Sequence, residues 1–239
     1  MKDKLSYYDF LADFVPGVVF IALAYFIAVE TQLKVTLPSL NVLSDSLVFV
    51  VLAFVAGHFI QYFSKYSIEQ IGKKVFWNGF FFSQWFLVQG SGFCPDLQRE
   101  HYIKVAKERF GFSDSTLAAL EVKDINKADN ETLGKARNIS QAIYRRFDAY
   151  ASDKNIGGKA LIQNTFYSFF RGLTLVSTLG FIVLATLAFK ICSVYLGVLA
   201  LVHLLAVLAF FHRMKERGEL YIRGLFDSVA AHVVGERQP

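Results

Sequence analysis

The chain has 239 residues, 54% of them hydrophobic and 16% aromatic, with 25 Phe and a formal net charge of +5. That balance is too apolar for an ordinary soluble domain of this size, and two cysteines are too few for a disulfide-stapled scaffold or a thiolate metal centre. The modest basic excess is compatible with a nucleic-acid or nucleotide ligand but does not require one.

The first element is an uncharged apolar run, residues 14–29, followed by a second over residues 46–63. Each is close to the roughly 17–25 residues that cross a hydrocarbon core about 30 Å thick as a helix, so spans are expected at about residues 14–32 and 46–64. Pro16-Gly17 opens the run just after Asp13 and reads as helix-start chemistry, because a proline in a first turn leaves no hydrogen bond unmade. Polar and aromatic residues, Asp9 and Asp13 among them, precede the run and no small-residue cleavage site follows, which argues against a cleaved signal peptide. In the second run, Ala53-x-x-x-Gly57 offers a small-residue face for another helix.

Residues 75–94 are uncharged and thick with aromatics, including Trp77, Phe81 and Trp85, yet interrupted by Asn78, Gly79, Ser83 and Gln84. A span here would export the basic residues that follow. An amphipathic helix at the headgroup layer, or a collar around the membrane domain, suits the pattern better; a re-entrant segment and a fifth span remain as alternatives. Beyond it, Asp96, Leu97, Ile103, Ala106 and Phe110 recur at helical spacing before Gly111, and Ser113 can cap a short helix carrying Leu117 and Leu120. In a third helix, Leu133, Ala136, Ser140, Ile143, Phe147 and Tyr150 form one stripe, while Arg137, Gln141, Arg145 and Asp148 form another. Asn155 and Gly157-Gly158 break it, and from Lys159 the chain can run uninterrupted into a third span, about 172–189. A fourth follows at about 191–211.

The expected fold is all-α, an integral membrane protein with four transmembrane helices in two hairpins. The hairpins, residues 1–66 and 166–212, bracket a helical cytoplasmic domain at 67–165, and residues 213–239 form a cytoplasmic tail. Basic residues concentrate on the cytoplasmic side; with the amino terminus inside, only Lys34 and Lys190 fall outside, while Lys2, Lys4, Lys65, Lys73, Lys74, Arg171, Arg213, Lys215 and Arg217 lie within. Both termini are therefore expected in the cytoplasm, and Cys94 and Cys192 on opposite faces of the membrane.

Polar groups inside spans are costly and normally face a bundle interior or a water-filled cavity. His58 and Gln61, beside Gly57, share a face of the second span, and His203 lies at similar depth in the fourth. They are candidates to line a pore or gate. They also suit interhelical hydrogen bonding or a proton relay. No His-Glu-x-x-His pair, nucleophile elbow or complete phosphate-binding loop occurs, so an enzyme is not expected, nor a cofactor or metal.

Tyr8-Asp9-Phe10-Leu11 leading to Val15-Pro16-Gly17, then Gly57-His58-Phe59-Ile60-Gln61, then Asn164-Thr165-Phe166-Tyr167 with Arg171, resembles a set of bacterial four-span inner-membrane proteins. Some of these are similar to the membrane components of antiphage systems such as Hailong and Kiwa. The resemblance implies an oligomeric inner-membrane effector, a pore or channel gated from the cytoplasm, or a non-conducting sensor that recruits a cytosolic partner. A homo-oligomer, with a tetramer favoured, is expected from the small-residue faces. A cytosolic protein, a nucleotide or a single-stranded nucleic acid is the expected ligand, with Arg137, Gln141, Arg145 and Arg146 as its binding candidates.

Overall fold

The computed structural model describes residues 7–31 and 42–236. Lys2, Lys4 and Lys34, on which part of the orientation argument rests, lie outside the described residues. All the regular structure among the described residues is helical: α1 Tyr7–Glu30, α2 Val42–Tyr66, α3 Ile68–Phe76, α4 Phe82–Trp85, α5 Asp96–Phe110, α6 Asp114–Leu117, α7 Asn130–Asp153, α8 Gly158–Ile191 and α9 Val194–Gly235. Four stretches, Phe10–Glu30, Ser46–Phe76, Gly158–Ile191 and Val194–Gly235, are long and apolar enough to cross a membrane. The chain divides into two compact units, Met1–Gly72 with Asn164–Arg217 and Lys73–Gln163 with Gly218–Pro239.

The first unit holds the apolar runs. Its α1 and α2 meet at closest approach through glycine: a Cβ on Gly17 would lie 1.8 Å from the Ala53 carbonyl oxygen, and one on Gly57 1.8 Å from that of Asp13. Neither position accepts a side chain without separating the helices. A second apolar contact joins α8 and α9 through Leu184, Leu196 and Ala200, with Leu23, Phe26 and Ile27 of α1 packed on it. Many apolar side chains also face outward: Leu52, Phe59, Ile182, Leu205 and Leu208 are all exposed. Water does not tolerate so continuous a greasy face, and lipid does.

Pro16 corrects the expectation of a helix start. It is the tenth residue of α1, buried inside the helix, so its missing N–H leaves the Ala12 carbonyl without its usual i+4 donor.

The second unit is built on aromatic residues. Trp77, Phe82, Trp85, Phe86, Tyr102, Phe147 and Phe226 are all buried, and Phe226 packs its ring 4.5 Å from Phe147 and 5.1 Å from Phe86. Residues 75–94 thus form neither one amphipathic helix nor a span. Left-handed backbone at Asn78 and Gly79 (φ 52° and 86°) ends α3 and turns the chain, leaving only the short α4 and a 3₁₀ turn at Gln89–Ser91. Trp77 and Trp85, expected at a headgroup layer, are 3% and 4% exposed. The Trp85 indole donates to the Trp77 carbonyl at 2.9 Å. Phe81 alone of the three is exposed, under the Lys73 ammonium at 3.6 Å. The apolarity of this segment is that of a domain core.

The intervening helices follow the sequence closely. Gly111 (φ 73°) closes α5, Ser113 accepts from the Thr116 amide to cap α6, and Asp129 caps α7. Ala136, Ser140, Ile143 and Phe147 form the buried face of α7. The Ser140 hydroxyl donates to the Ser83 carbonyl and accepts from the Leu87 amide, tying the aromatic segment to that face. Leu97 is a departure, exposed where a buried position was expected; the inner face of α5 is Arg99, Tyr102, Val105 and Ala106.

The tail also needs correcting. α9 runs 42 residues without a break, about 63 Å at 1.5 Å per residue. Ile222, Leu225, Phe226, Val229, Ala230 and Val233 are buried in the second unit, so the residues after Arg217 complete its core.

Candidate functional site

The orphaned carbonyl of Ala12 is where the site begins. The Gln61 side-chain amide donates to it at 2.8 Å and to the Ser168 carbonyl at 3.0 Å. One glutamine on α2 thereby repairs the proline break in α1 and ties it to α8. The approach requires Gly172, because a Cβ there would stand 2.8 Å from Gln61 Nε2 and 3.1 Å from the Pro16 ring.

Arg171 supplies the second layer. Its Nε donates to Ser64 Oγ at 3.2 Å, one terminal nitrogen to Glu69 at 2.5 Å and the other to Gln61 Oε1 at 3.3 Å. Its guanidinium carbon lies 5.6 Å from the centre of the Tyr167 ring. Arg171, Glu69 and Ser64 are all buried. A buried charge of this kind persists only when paired and hydrogen-bonded, and here both conditions are met.

The third layer lies one turn along α2 from Gln61. His58 Nδ1 stands 3.0 Å from Asp13 Oδ2, with the His58 side chain 59% exposed and its ring 4.7 Å from Phe54. Ser64, Gln61 and His58 thus form a polar ladder on α2 at steps of three residues. A polar cavity of about 200 Å³ lies beside it, lined by Ala12, Asp13, Gln61, Asn164, Thr165, Ser168 and Arg171.

The structure brings three of the four gate candidates together, Gly57, His58 and Gln61, in roles that differ: Gly57 sets the helix spacing, Gln61 is the hub, and His58 faces outward. His203, the fourth, lies on α9. It packs on Gly180 of α8, where a Cβ would lie 2.8 Å from its Nδ1. Asp13, not His203, is the partner of His58. From sequence, Asp13 looks like part of a helix start and Arg171 like a topology marker; the signal that they belong to a site is that each adjoins an apolar run beside a motif carrying Pro16 or Asn164. Glu69 and Ser64 gave no such signal.

In the second unit, Arg137 and Gln141 are already engaged. The Arg137 guanidinium stacks 3.6 Å over Phe80 and 5.2 Å from Trp85, and Gln141 accepts from the Ser83 hydroxyl at 2.7 Å. Arg145 and Arg146 are exposed. Asp148, set beside these arginines on the helix surface, instead accepts from the Tyr221 hydroxyl at 3.1 Å.

Elsewhere in that unit, burial pushes the Cys94 thiol up to about 11, with Arg223 the strongest opposing influence. Burial likewise raises Tyr102, whose hydroxyl donates to Asp227. Neither group is a nucleophile at neutral pH. No three His, Cys, Asp or Glu side chains are grouped so that they could hold a metal ion among the described residues. Comparison of the chain with protein-family models, with curated proteins and with solved structures gives no match.

Proposed function

We propose that this chain is the membrane subunit of a homo-oligomeric conduit, gated from the side of its second unit. The observation that carries the reading is the outward Asp13–His58 pair. His58 is flanked on α2 by exposed Val55, Phe59 and Tyr62, six residues or about 9 Å along the helix from Ser64, which follows the apolar run. Ionisable groups at such positions face a bundle interior or a water-filled cavity, since lipid hydrates neither. A second copy of the chain, or water held between copies, supplies that surrounding.

Three helices, α3, α8 and α9, contribute residues to both units without a break, giving a covalent route by which a ligand on the second unit biases the first. Arg145 and Arg146, exposed on α7, are the proposed contacts of a cytosolic protein or nucleotide ligand. The bacterial inner membrane and a role as an antiphage effector are part of the same proposal and rest on the resemblance alone. The test is ion flux into proteoliposomes containing the purified full chain, compared with His58→Ala and Asp13→Asn at matched incorporation. Flux that depends on His58 and Asp13 supports the conduit. Equal flux from all three proteins, or none from the parent with its ligand present, removes it.

A further inference from the structure

We infer that the first turn of α5, in the second unit, binds a phosphate group, held by the Arg99 guanidinium and the uncapped amides of that turn. The inference stands apart from the conduit reading and from Arg145 and Arg146.

Arg99 is the residue that asks for a ligand. It lies on the inner face of α5, 6% exposed, and its Nε and one terminal nitrogen are buried without a hydrogen-bond partner. A buried cation in that condition is costly unless something supplies the missing acceptors. Arg171, also buried, shows the usual solution, donating to Ser64, Glu69 and Gln61. Asp96 does not provide it for Arg99: its Oδ1 stands 3.9 Å from Nε, past hydrogen-bond reach, and its side chain is 75% exposed. An oxyanion that displaced this loosely placed carboxylate and stood about 1 Å closer would accept from Nε at an ordinary distance.

The helix end offers further donors. α5 has 15 residues, its N-cap is Pro95, and no side chain caps its first amides. The first intrahelical bond runs from the Arg99 amide to the Pro95 carbonyl, which leaves the amides of Asp96, Leu97 and Gln98 as donors at the positive end of the helix dipole. Helical side chains lean toward the N-terminus of their own helix, and the approach to Asp96 sets the Arg99 guanidinium at this turn. A second cation is close by. Arg223 of α9 donates to the Phe93 carbonyl at 3.2 Å, and its charge and that of Arg99 both bear on the Cys94 thiol, just before the turn. Asp227, the other acid near Cys94, already accepts from the Tyr102 hydroxyl. A phosphate has oxygens enough to meet a guanidinium and helix amides together, whereas chloride offers a single centre. Inorganic phosphate and a nucleoside monophosphate present the same group.

The experiment is thermal unfolding of the purified full chain in mild detergent, titrated with sodium phosphate or adenosine monophosphate against sodium chloride at equal ionic strength and pH. The midpoint is expected to rise saturably, by several degrees, with the phosphate compounds. Half-saturation at lower concentration with the nucleotide assigns the site to an organic phosphate; half-saturation at lower concentration with inorganic phosphate assigns it to the free ion. Phosphate also stabilises proteins by exclusion from their surface, so the variants decide. Arg99→Met removes a buried charge without a seated partner; it should unfold no lower than the parent in chloride and lose the saturable rise. Asp96→Asn should lower the half-saturating concentration. Arg223→Ala changes an exposed side chain and should raise that concentration several-fold, which keeps the test decisive if Arg99→Met does not fold. No saturable rise in the parent overturns the inference, as does a rise that survives unchanged in Arg223→Ala and in any folded Arg99→Met. Lower midpoints in chloride for both Arg99→Met and Asp96→Asn, with no response to phosphate, would show that the two residues simply pair.

Discussion

Replacing Gln61 by leucine tests the node at its centre. The substitution removes two donated bonds, to the Ala12 and Ser168 carbonyls, and one accepted from Arg171. Side-chain hydrogen bonds between membrane helices average about 0.6 kcal/mol and reach about 1.7, so three are worth about 2 kcal/mol. The loss is uneven. Ser168 lies inside α8 and keeps its helical partner, whereas Ala12 has none because Pro16 brings no N–H. An unsatisfied buried carbonyl costs about 1–3 kcal/mol, which puts the expected destabilisation at about 3 kcal/mol. Pro16→Ala restores a backbone donor for Ala12. In that background, Gln61→Leu should therefore cost less by about 1 kcal/mol or more. Unfolding free energies in detergent for the parent, both single variants and the double variant complete the cycle. Distant, independent sites add within about 0.3–0.5 kcal/mol; if Gln61→Leu costs the same in both backgrounds within that margin, the proline and the glutamine are not coupled and the reasoning fails.

Gly57→Leu drives a side chain into the Asp13 carbonyl. It should part α1 from α2 and cost about 3 kcal/mol, the upper end for overpacking a close contact, in the same unfolding assay. Glu69→Gln leaves the Arg171 charge buried without its counterion, a change that costs about 3–5 kcal/mol, while Glu69→Leu with Arg171→Met should cost less than the single change. Cys94 is raised in the folded protein, so its neutral form is favoured by folding; its contribution is complete below the unfolded pKa near 9 and lost as pH rises toward about 11. Tyr102 shifts in the same direction, and chemical denaturation of the second unit should show stability falling above pH 9, less steeply in Cys94→Ala. Arg145→Ala with Arg146→Ala should flatten the salt dependence of ligand binding and leave unfolding unchanged, whereas Arg137→Ala, by removing a stacked guanidinium, should lower stability.

The helices were legible because their signals are local. Gly111, Ser113 and the break at residues 155–158 each act within a turn, and the stripe of α7 shows at a spacing of three and four. Residues 75–94 misled because an aromatic core and an aromatic membrane belt have the same composition; Asn78-Gly79, left-handed in the structure, was the discriminating pair. The end of α9 was missed for a related reason. Ile222, Leu225, Val229 and Val233 repeat at helical spacing, but Phe147 and Phe86, the ring partners of Phe226 in the same stretch, lie more than seventy residues earlier in the chain. Within the site, Gly57 and Gln61 stood out as small and polar residues in an apolar run. Their partners did not, since Ala12 contributes only a carbonyl, and Glu69 lies beyond the apolar run among Lys65, Lys73 and Lys74. A bond that exists because Pro16 lacks a proton becomes readable only when Pro16 is seen to lie inside the helix.

The central claim is that the outward face of the Asp13–His58 pair meets water in the assembled protein. It is tested most directly by placing a single cysteine at position 58, with Cys94 and Cys192 replaced by serine, and measuring alkylation in membranes by a charged, membrane-impermeant reagent. A cysteine at Phe59, on the neighbouring exposed position of α2, is the lipid-facing control. The account predicts that position 58 reacts at a rate approaching that of an exposed loop and position 59 does not. Protection of both positions from the charged reagent, with both open to a membrane-permeant one, would place the pair in lipid and contradict it.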